Sequence, residues 1–278
     1  MTIVMNIVAM PLKGNAMTAK PSVLITGASS GIGAAYAERF ARRGHDLVLV
    51  ARNTERMEVL KARLHQEHGV AIDIIQADLT QSADLAAVEA RLRDDVRIGI
   101  LVNNAGTAIG RSFIEQSADD VTRLVALNAT APLRLASAIA PRLAEAGEGA
   151  IVNIGSVVGL APEFGMTAYG ATKAFVLFLS QGLSLELAPK GIYVQAVLPA
   201  TTRTEIWDHV GADVNTLSGV MEVGDLVDAA LVGFDRREPV TIPPLPDAGQ
   251  WDALQAARQA MLPNYRNQQP AERYRTVA

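Results

Sequence analysis

Between residues 22 and 198 the sequence alternates short, continuously apolar runs with longer amphipathic segments, and this rhythm restricts the fold more than any other feature. The runs are SVLIT (22–26), DLVLVA (46–51), AIDIIQA (71–77), IGILVN (98–103), AIVNIG (150–155) and IYVQAVL (192–198). None shows the in-out alternation of a sheet with one wet face. Strands apolar on both sides need cover on both sides, as parallel strands have. The intervening segments have helical length: to about Arg43, Thr54 to about His68, Ser82 to about Asp95, about 118–144 and about 168–188. Gly44 and Gly69 stand where helices stop. Strand–helix repetition of this kind predicts α/β architecture: a single doubly wound domain, a parallel sheet of about seven strands, and helices on both faces. PVTIPP (239–244) supplies the last strand.

After residue 199 the rhythm weakens. Residues 200–223 lack periodicity and read as a substrate lid, 224–234 read as a helix, and Gln250 to about Leu262 as a final one. The expected boundaries are a flexible tail over 1–20, a catalytic domain over 21–246, and a C-terminal helix and tail over 247–278. The opening MTIVMNIVAM lacks the basic n-region of a signal peptide, and Met17 is an alternative start that leaves 1–16 outside the fold.

Composition excludes several classes. A net charge of −4 opposes nucleic-acid binding. The absence of cysteine removes disulfides and thiolate chemistry. Four scattered histidines form no metal set; His65 and His68 read as a solvated helix face. No run approaches the ~20 apolar residues of a membrane span, so a soluble cytoplasmic protein without membrane contact is expected.

The first strand meets the first helix through Thr26-Gly27-Ala28-Ser29-Ser30-Gly31-Ile32-Gly33. Glycines at such a junction let the backbone turn tightly and approach a pyrophosphate, while the helix start offers free N–H groups and a positive dipole end. An enzyme using NAD places an acid at the end of the second strand for the ribose 2′-hydroxyl. Here that end reads Val50-Ala51-Arg52-Asn53. Arg52 offers a guanidinium fork to a 2′-phosphate instead, which favours NADP (NADPH) as cofactor. Arg56, four residues on, is a second candidate cation if the helix presents it to the same site.

These motifs, with others downstream, resemble the short-chain dehydrogenase/reductase family over about residues 22–243. TGASSGIG (26–33) is similar to its cofactor turn, and Asp78-Leu79 to the acid that follows the third strand and touches adenine. Asn103-Asn104-Ala105-Gly106 is similar to the segment beside the cofactor after the fourth strand. Asn128, Ser156, Tyr169 and Lys173 match the catalytic set in order and spacing, and Pro199, Thr202 and Thr204 fall in the segment that covers the nicotinamide. The resemblance implies a Rossmann-type domain that transfers hydride between NADP(H) and a carbonyl or alcohol substrate. It also implies a helix break and water relay at Asn128, a ribose-holding role for Lys173, and a homodimer or homotetramer. Two positions depart from the pattern: Ser30 is not basic, and Ala200 stands where glycine is usual.

The residues suit the reaction. Carbonyl reduction needs a proton donor on the developing alkoxide, and tyrosine's ordinary pKa of about 10 is too high for easy exchange. Lys173, one helical turn after Tyr169, is expected to lower it. Ser156 can hydrogen-bond the substrate oxygen. Val157, Val158, Phe164, Met166 and Trp207 are candidate pocket walls. Two alternatives stay open: a 3-oxoacyl-thioester reductase, and a cofactor-binding regulatory protein without turnover. Small residues in Ala136-Ser137-Ala138-Ile139-Ala140 suggest close approach of the helices around a two-fold axis.

Overall fold

The computed structural model describes residues 20–275. The expectation for a tail over residues 1–19 lies outside them. In chain order the regular elements are β1 (Ser22–Thr26), α1 (Gly31–Arg42), β2 (Leu47–Ala51), α2 (Thr54–His68), β3 (Ile72–Gln76) and α3 (Ser82–Asp94). β4 (Ile98–Asn103), α4 (Ala118–Val125), α5 (Ala131–Ala146), β5 (Gly149–Ile154) and α6 (Thr167–Leu187) follow. β6 (Ile192–Val197), α7 (Ile206–Val210), α8 (Val223–Asp235), β7 (Val240–Thr241) and α9 (Ala248–Ala260) complete the order.

The strands form one seven-stranded sheet in the order β3-β2-β1-β4-β5-β6-β7, with every pairing parallel. Successive side chains of a strand point to opposite faces, and here both faces are dry. Val23 and Ile25 pack with Tyr36, Phe40, Met57, Leu64, Val227 and Leu231 from α1, α2 and α8. Leu24, between them, packs with Leu85, Val88, Leu135, Ile139 and Leu187 from α3, α5 and α6. Full burial of each such side chain contributes roughly 1.5–3 kcal/mol, so the unbroken apolar runs dictate the three-layer sandwich. The chain reverses direction across the sheet between β1 and β4, which opens a crevice at their carboxyl ends.

Two elements differ from expectation. The last strand shrinks from 239–244 to Val240–Thr241, because Pro239, Pro243 and Pro244 bring no N–H to a ladder. The long helix is continuous from Ala118 to Ala146 but contains a π turn at Ala126–Thr130, centred on Asn128. That helix has the length and mean hydropathy of a membrane span, yet half of its most apolar stretch is buried inside the molecule. The irregular 200–223 stretch contains α7 and a 3₁₀ turn at Val214–Thr216, and Arg203 ties that turn to the start of α8 by binding Asn215 and Glu222 at 2.8 Å each.

Candidate active site

The crevice is a cavity of about 1220 Å³ lined by the glycine turn, the ends of β2 to β6, and the segment 199–210. Gly27 (φ +66°) and Gly31 (φ +52°) lie in the left-handed region that favours glycine. At Gly33 the reason is space: a Cβ there would overlap the carbonyl oxygen of Gly27 and the Asn104 amide. Asn104 locks this turn, donating through Nδ2 to Thr26 O at 2.9 Å and to Gly27 O at 3.2 Å. The Thr26 hydroxyl accepts from the backbone N–H groups of Asn104 and Ala105, both at 3.0 Å. The start of α1 carries no acidic residue, and Ser30 makes no capping bond there. A phosphate therefore meets a helix dipole that no side chain of its own chain has neutralised.

Around the adenosine end, Asn53 caps α2, its Oδ1 accepting from the Arg56 N–H at 3.0 Å. Asp78 accepts from the backbone and hydroxyl of Thr80 at 3.0 and 2.8 Å. Burial would raise its pKa, but these bonds and the Arg52 charge outweigh that and hold it below its ordinary value. Arg52 thus faces the same space as Asp78. Arg56 turns elsewhere: it grips Glu205 at 2.7 Å, across 149 residues of sequence, and so fastens the start of α7 to α2.

At the other end, Ser156 Oγ lies 3.3 Å from Pro199 O and accepts from Val158 N–H at 3.2 Å. Tyr169 and Lys173 stand one turn apart on α6. Lys173 is buried, donates to Ile154 O at 2.9 Å, and sits 5.6 Å from the centre of the Tyr169 ring. The expected lowering of Tyr169 does not hold in this arrangement. Burial pushes its hydroxyl up to about 12, opposed by a hydrogen bond with Ser156. Burial also pulls Lys173 down to about 8. Desolvation penalises both charged forms.

Nearly every residue singled out from the sequence lines this cavity; Gly33 and Asn128 stand behind its wall. Asn128 Oδ1 accepts from Thr107 N–H at 2.9 Å, and its Nδ2 donates to Thr107 O at 2.8 Å and Thr172 Oγ1 at 3.2 Å. The Thr172 hydroxyl in turn donates to Tyr169 O at 2.7 Å. The π turn aims Asn128 inward so that it joins the loop after β4 to α6. Sequence reasoning missed Thr107, Thr172, Ile154 and Glu205. Ile154 acts through its backbone oxygen, and the Arg56–Glu205 pair joins distant segments; neither leaves a local signal. Among the described residues no group of three or more His, Asp or Glu side chains converges on a metal position.

The family model for short chain dehydrogenases matches residues 21–215. The chain belongs to the short-chain dehydrogenase family. Among curated relatives, serine 3-dehydrogenase of Agrobacterium fabrum is 41% identical over 186 residues, which is 66% of this chain and 73% of that one. Among solved structures, a short-chain dehydrogenase from Sphingobium yanoikuyae in complex with NADPH is 69% identical, with a TM-score of 0.91. That match covers 92% of this chain and all of the other. A bulky-bulky ketone specific alcohol dehydrogenase from Comamonas testosteroni is 63% identical over 93% of this chain and all of the other, with a TM-score of 0.87. This dehydrogenase is therefore an oxidoreductase that shares its fold with those enzymes.

Proposed function

We propose that this dehydrogenase passes hydride between NADP(H) and a ketone or secondary alcohol, with Tyr169 as the proton-transfer group. The observation that carries the reading is the convergence of the glycine turn, Arg52, Ser156, Tyr169 and Lys173 on one cavity. The donor set fits the cofactor: a tight glycine turn whose backbone leaves no room for a Cβ at Gly27 and Gly33, a helix start without an acid, and an arginine beside Asp78. Gly27, Ser29, Ser30, Gly31 and Ile32 would hold the pyrophosphate, with Gly33 supporting the turn from behind. Arg52 and Asn53 would hold the 2′-phosphate, and Asp78 and Leu79 the adenine. Asn104, Ala105, Gly106, Lys173, Pro199, Thr202 and Thr204 would flank the nicotinamide riboside. The nicotinamide supplies the hydride in reduction and accepts it in oxidation.

The rest of the chemistry belongs to the chain. In reduction, Tyr169 gives its hydroxyl proton to the substrate oxygen while Ser156 donates a hydrogen bond to the same oxygen. Lys173, charged below about pH 8, sits beside the tyrosine and favours its anion after transfer. Asn128 holds the Thr107 loop and α6 in one arrangement, so that the proton path keeps its geometry.

The substrate end of the cavity is walled by Val157, Val158, Phe164, Met166, Trp207 and Val210. Phe164 is 65% exposed, which leaves the mouth wide and apolar. Bulky, uncharged ketones suit such a wall, in keeping with the relative from Comamonas testosteroni. Residues 200–223 serve as the lid of this pocket within a catalytic domain over 21–246. The test is direct: NADPH fluorescence on titration with protein, then NADPH consumption with a panel of bulky ketones, small hydroxyacids and 3-oxoacyl thioesters. No consumption with any ketone overturns the reading.

The reading includes a symmetric homo-oligomer in the cytoplasm. In the Ala136–Ala140 stretch Ala136, Ala138 and Ile139 are buried in the chain's own core, which leaves Ser137 exposed and Ala140 half-buried. The more exposed apolar face is a stripe on α6 formed by Ala171, Ala174, Phe178, Gly182 and Leu185. Phe178 is 79% and Leu185 80% exposed, and the space where a Gly182 Cβ would sit is open. Their spacing of three and four residues makes one helix face, and such a face packs on its own copy across a two-fold axis.

A further inference from the structure

The C-terminal segment is ordered without a body to lie on. Every residue from 256 to 275 is exposed, although the segment includes the end of α9 and 3₁₀ turns at Leu262–Arg266 and Glu272–Tyr274. A lone helix of α9's length is marginal in water, and single 3₁₀ turns hold no better. Apart from the anchor of α9, the hydrogen bonds of this segment among the described residues stay within α9 and the segment itself. It nonetheless carries large apolar groups: Met261 and Leu262 are 47% exposed and Tyr265 is 68% exposed.

We infer that residues 256–275 form an arm that docks on a second copy of this chain, beside the two-fold face of α6. The inference rests on the oligomer proposed above. Two observations name the occupant. The first is continuity: the arm is rooted at the rim of that face. Trp251 of α9 packs against the cluster of Leu177, Ala196 and Leu198, and Gln181 of α6 donates to Gln255 at 3.3 Å. Gln181 lies between Phe178 and Leu185 along the exposed stripe of α6, so a copy packed on α6 meets the root of the arm. The second is charge. Residues 256–275 hold Arg258, Arg266, Arg273 and Arg275 against Glu272, a net +3, which leaves −7 on the remainder of a chain whose total is −4. A basic, apolar arm and an acidic body attract across a two-fold axis, and the symmetry satisfies both arms at once.

The chain has no cysteine, so Tyr265→Cys in the full-length protein accepts a single benzophenone maleimide. Irradiation of a mixed sample of isotopically light and heavy protein should give a species of twice the 29.5 kDa chain mass, with light and heavy peptides joined. Adding Met261→Glu and Leu262→Glu should cut its yield roughly tenfold, the effect of losing one apolar anchor's worth of binding. Cross-links confined to one chain, to a foreign protein, or absent altogether overturn the arm, as does an unchanged yield in the glutamate variant. Light scattering on the wild type separates the two readings. An oligomer whose arm cross-links to its own chain refutes the arm alone, and a monomer refutes the two-fold face as well.

Discussion

Lys173 donates to the carbonyl of Ile154 at 2.9 Å, so the one buried lysine among the described residues is held by a strand end and not by a carboxylate. Its charge is therefore costly, and its pKa falls to about 8 through burial. The sign of the linkage follows. A lysine whose folded pKa lies below its unfolded value binds fewer protons in the folded state, so stability rises with pH across the gap. Below about pH 8 the penalty is fully present, and above the ordinary lysine value of 10.5 it is gone. The shift corresponds to ~3 kcal/mol. Lys173→Met should be more stable than wild type at pH 7, and the difference should shrink toward pH 10. Denaturant melts at both values check this; a difference independent of pH refutes it.

Tyr169→Phe should leave NADPH binding nearly intact and lower ketone reduction by roughly 10²–10⁴-fold, the range a positioned proton donor contributes. Phenylalanine keeps the ring and removes only the hydroxyl and its hydrogen bond with Ser156, so the protein should stay folded. Turnover within about tenfold of wild type would remove Tyr169 from the proton step.

Gly33→Ala tests the glycine turn by volume. The added methyl overlaps the Gly27 carbonyl oxygen and the Asn104 amide, both fixed by the bonds that lock the turn. Such overpacking costs typically ~1–3 kcal/mol, and the turn must shift where phosphate would bind. Gly69→Ala is the control, since its left-handed φ of +70° is strained but nothing lies within 4 Å. Both should lower the melting temperature, but only Gly33→Ala should weaken NADPH binding. Equal NADPH affinity in the two would show that the turn does not cradle phosphate.

The parts of this molecule legible in the sequence are those where one local rule decides. Apolar runs gave six strands to within a residue or so at each end, because strands covered on both faces are built mostly of apolar residues. Glycines at the β1–α1 junction marked the cavity because no other residue type fits them. What stayed hidden depends on distant partners. Ala136, Ala138 and Ile139 read as part of a two-fold contact because small residues suit both a core and an interface, and the chain's own core claims these three. The Tyr169 pKa was read from one neighbour, while burial by many residues sets it. Arg56 looked available until Glu205, from the far half of the chain, took it.

That last pair sharpens the test of cofactor choice. With Arg56 engaged by Glu205, Arg52 is the cation left facing Asp78, and it carries the 2′-phosphate reading. Arg52→Asp should lower the ratio of kcat/KM for NADP over NAD by roughly tenfold to a hundredfold, since it deletes a charge-assisted contact and adds repulsion. It also places a carboxylate near Asp78, which loses the charge that helped hold its pKa down. Adenine binding should then weaken for both cofactors. Arg52→Gln separates the effects: it removes the cation and adds no charge, so the ratio should still fall while kcat/KM for NAD is kept. Arg56→Gln should behave differently. Breaking its bond to Glu205 frees α7 from α2, so KM for a bulky ketone should change while the cofactor ratio stays near that of wild type. If Arg56→Gln moves the ratio as far as Arg52→Gln does, the 2′-phosphate recruits Arg56 away from Glu205. If neither moves it, the end of β2 does not choose the cofactor.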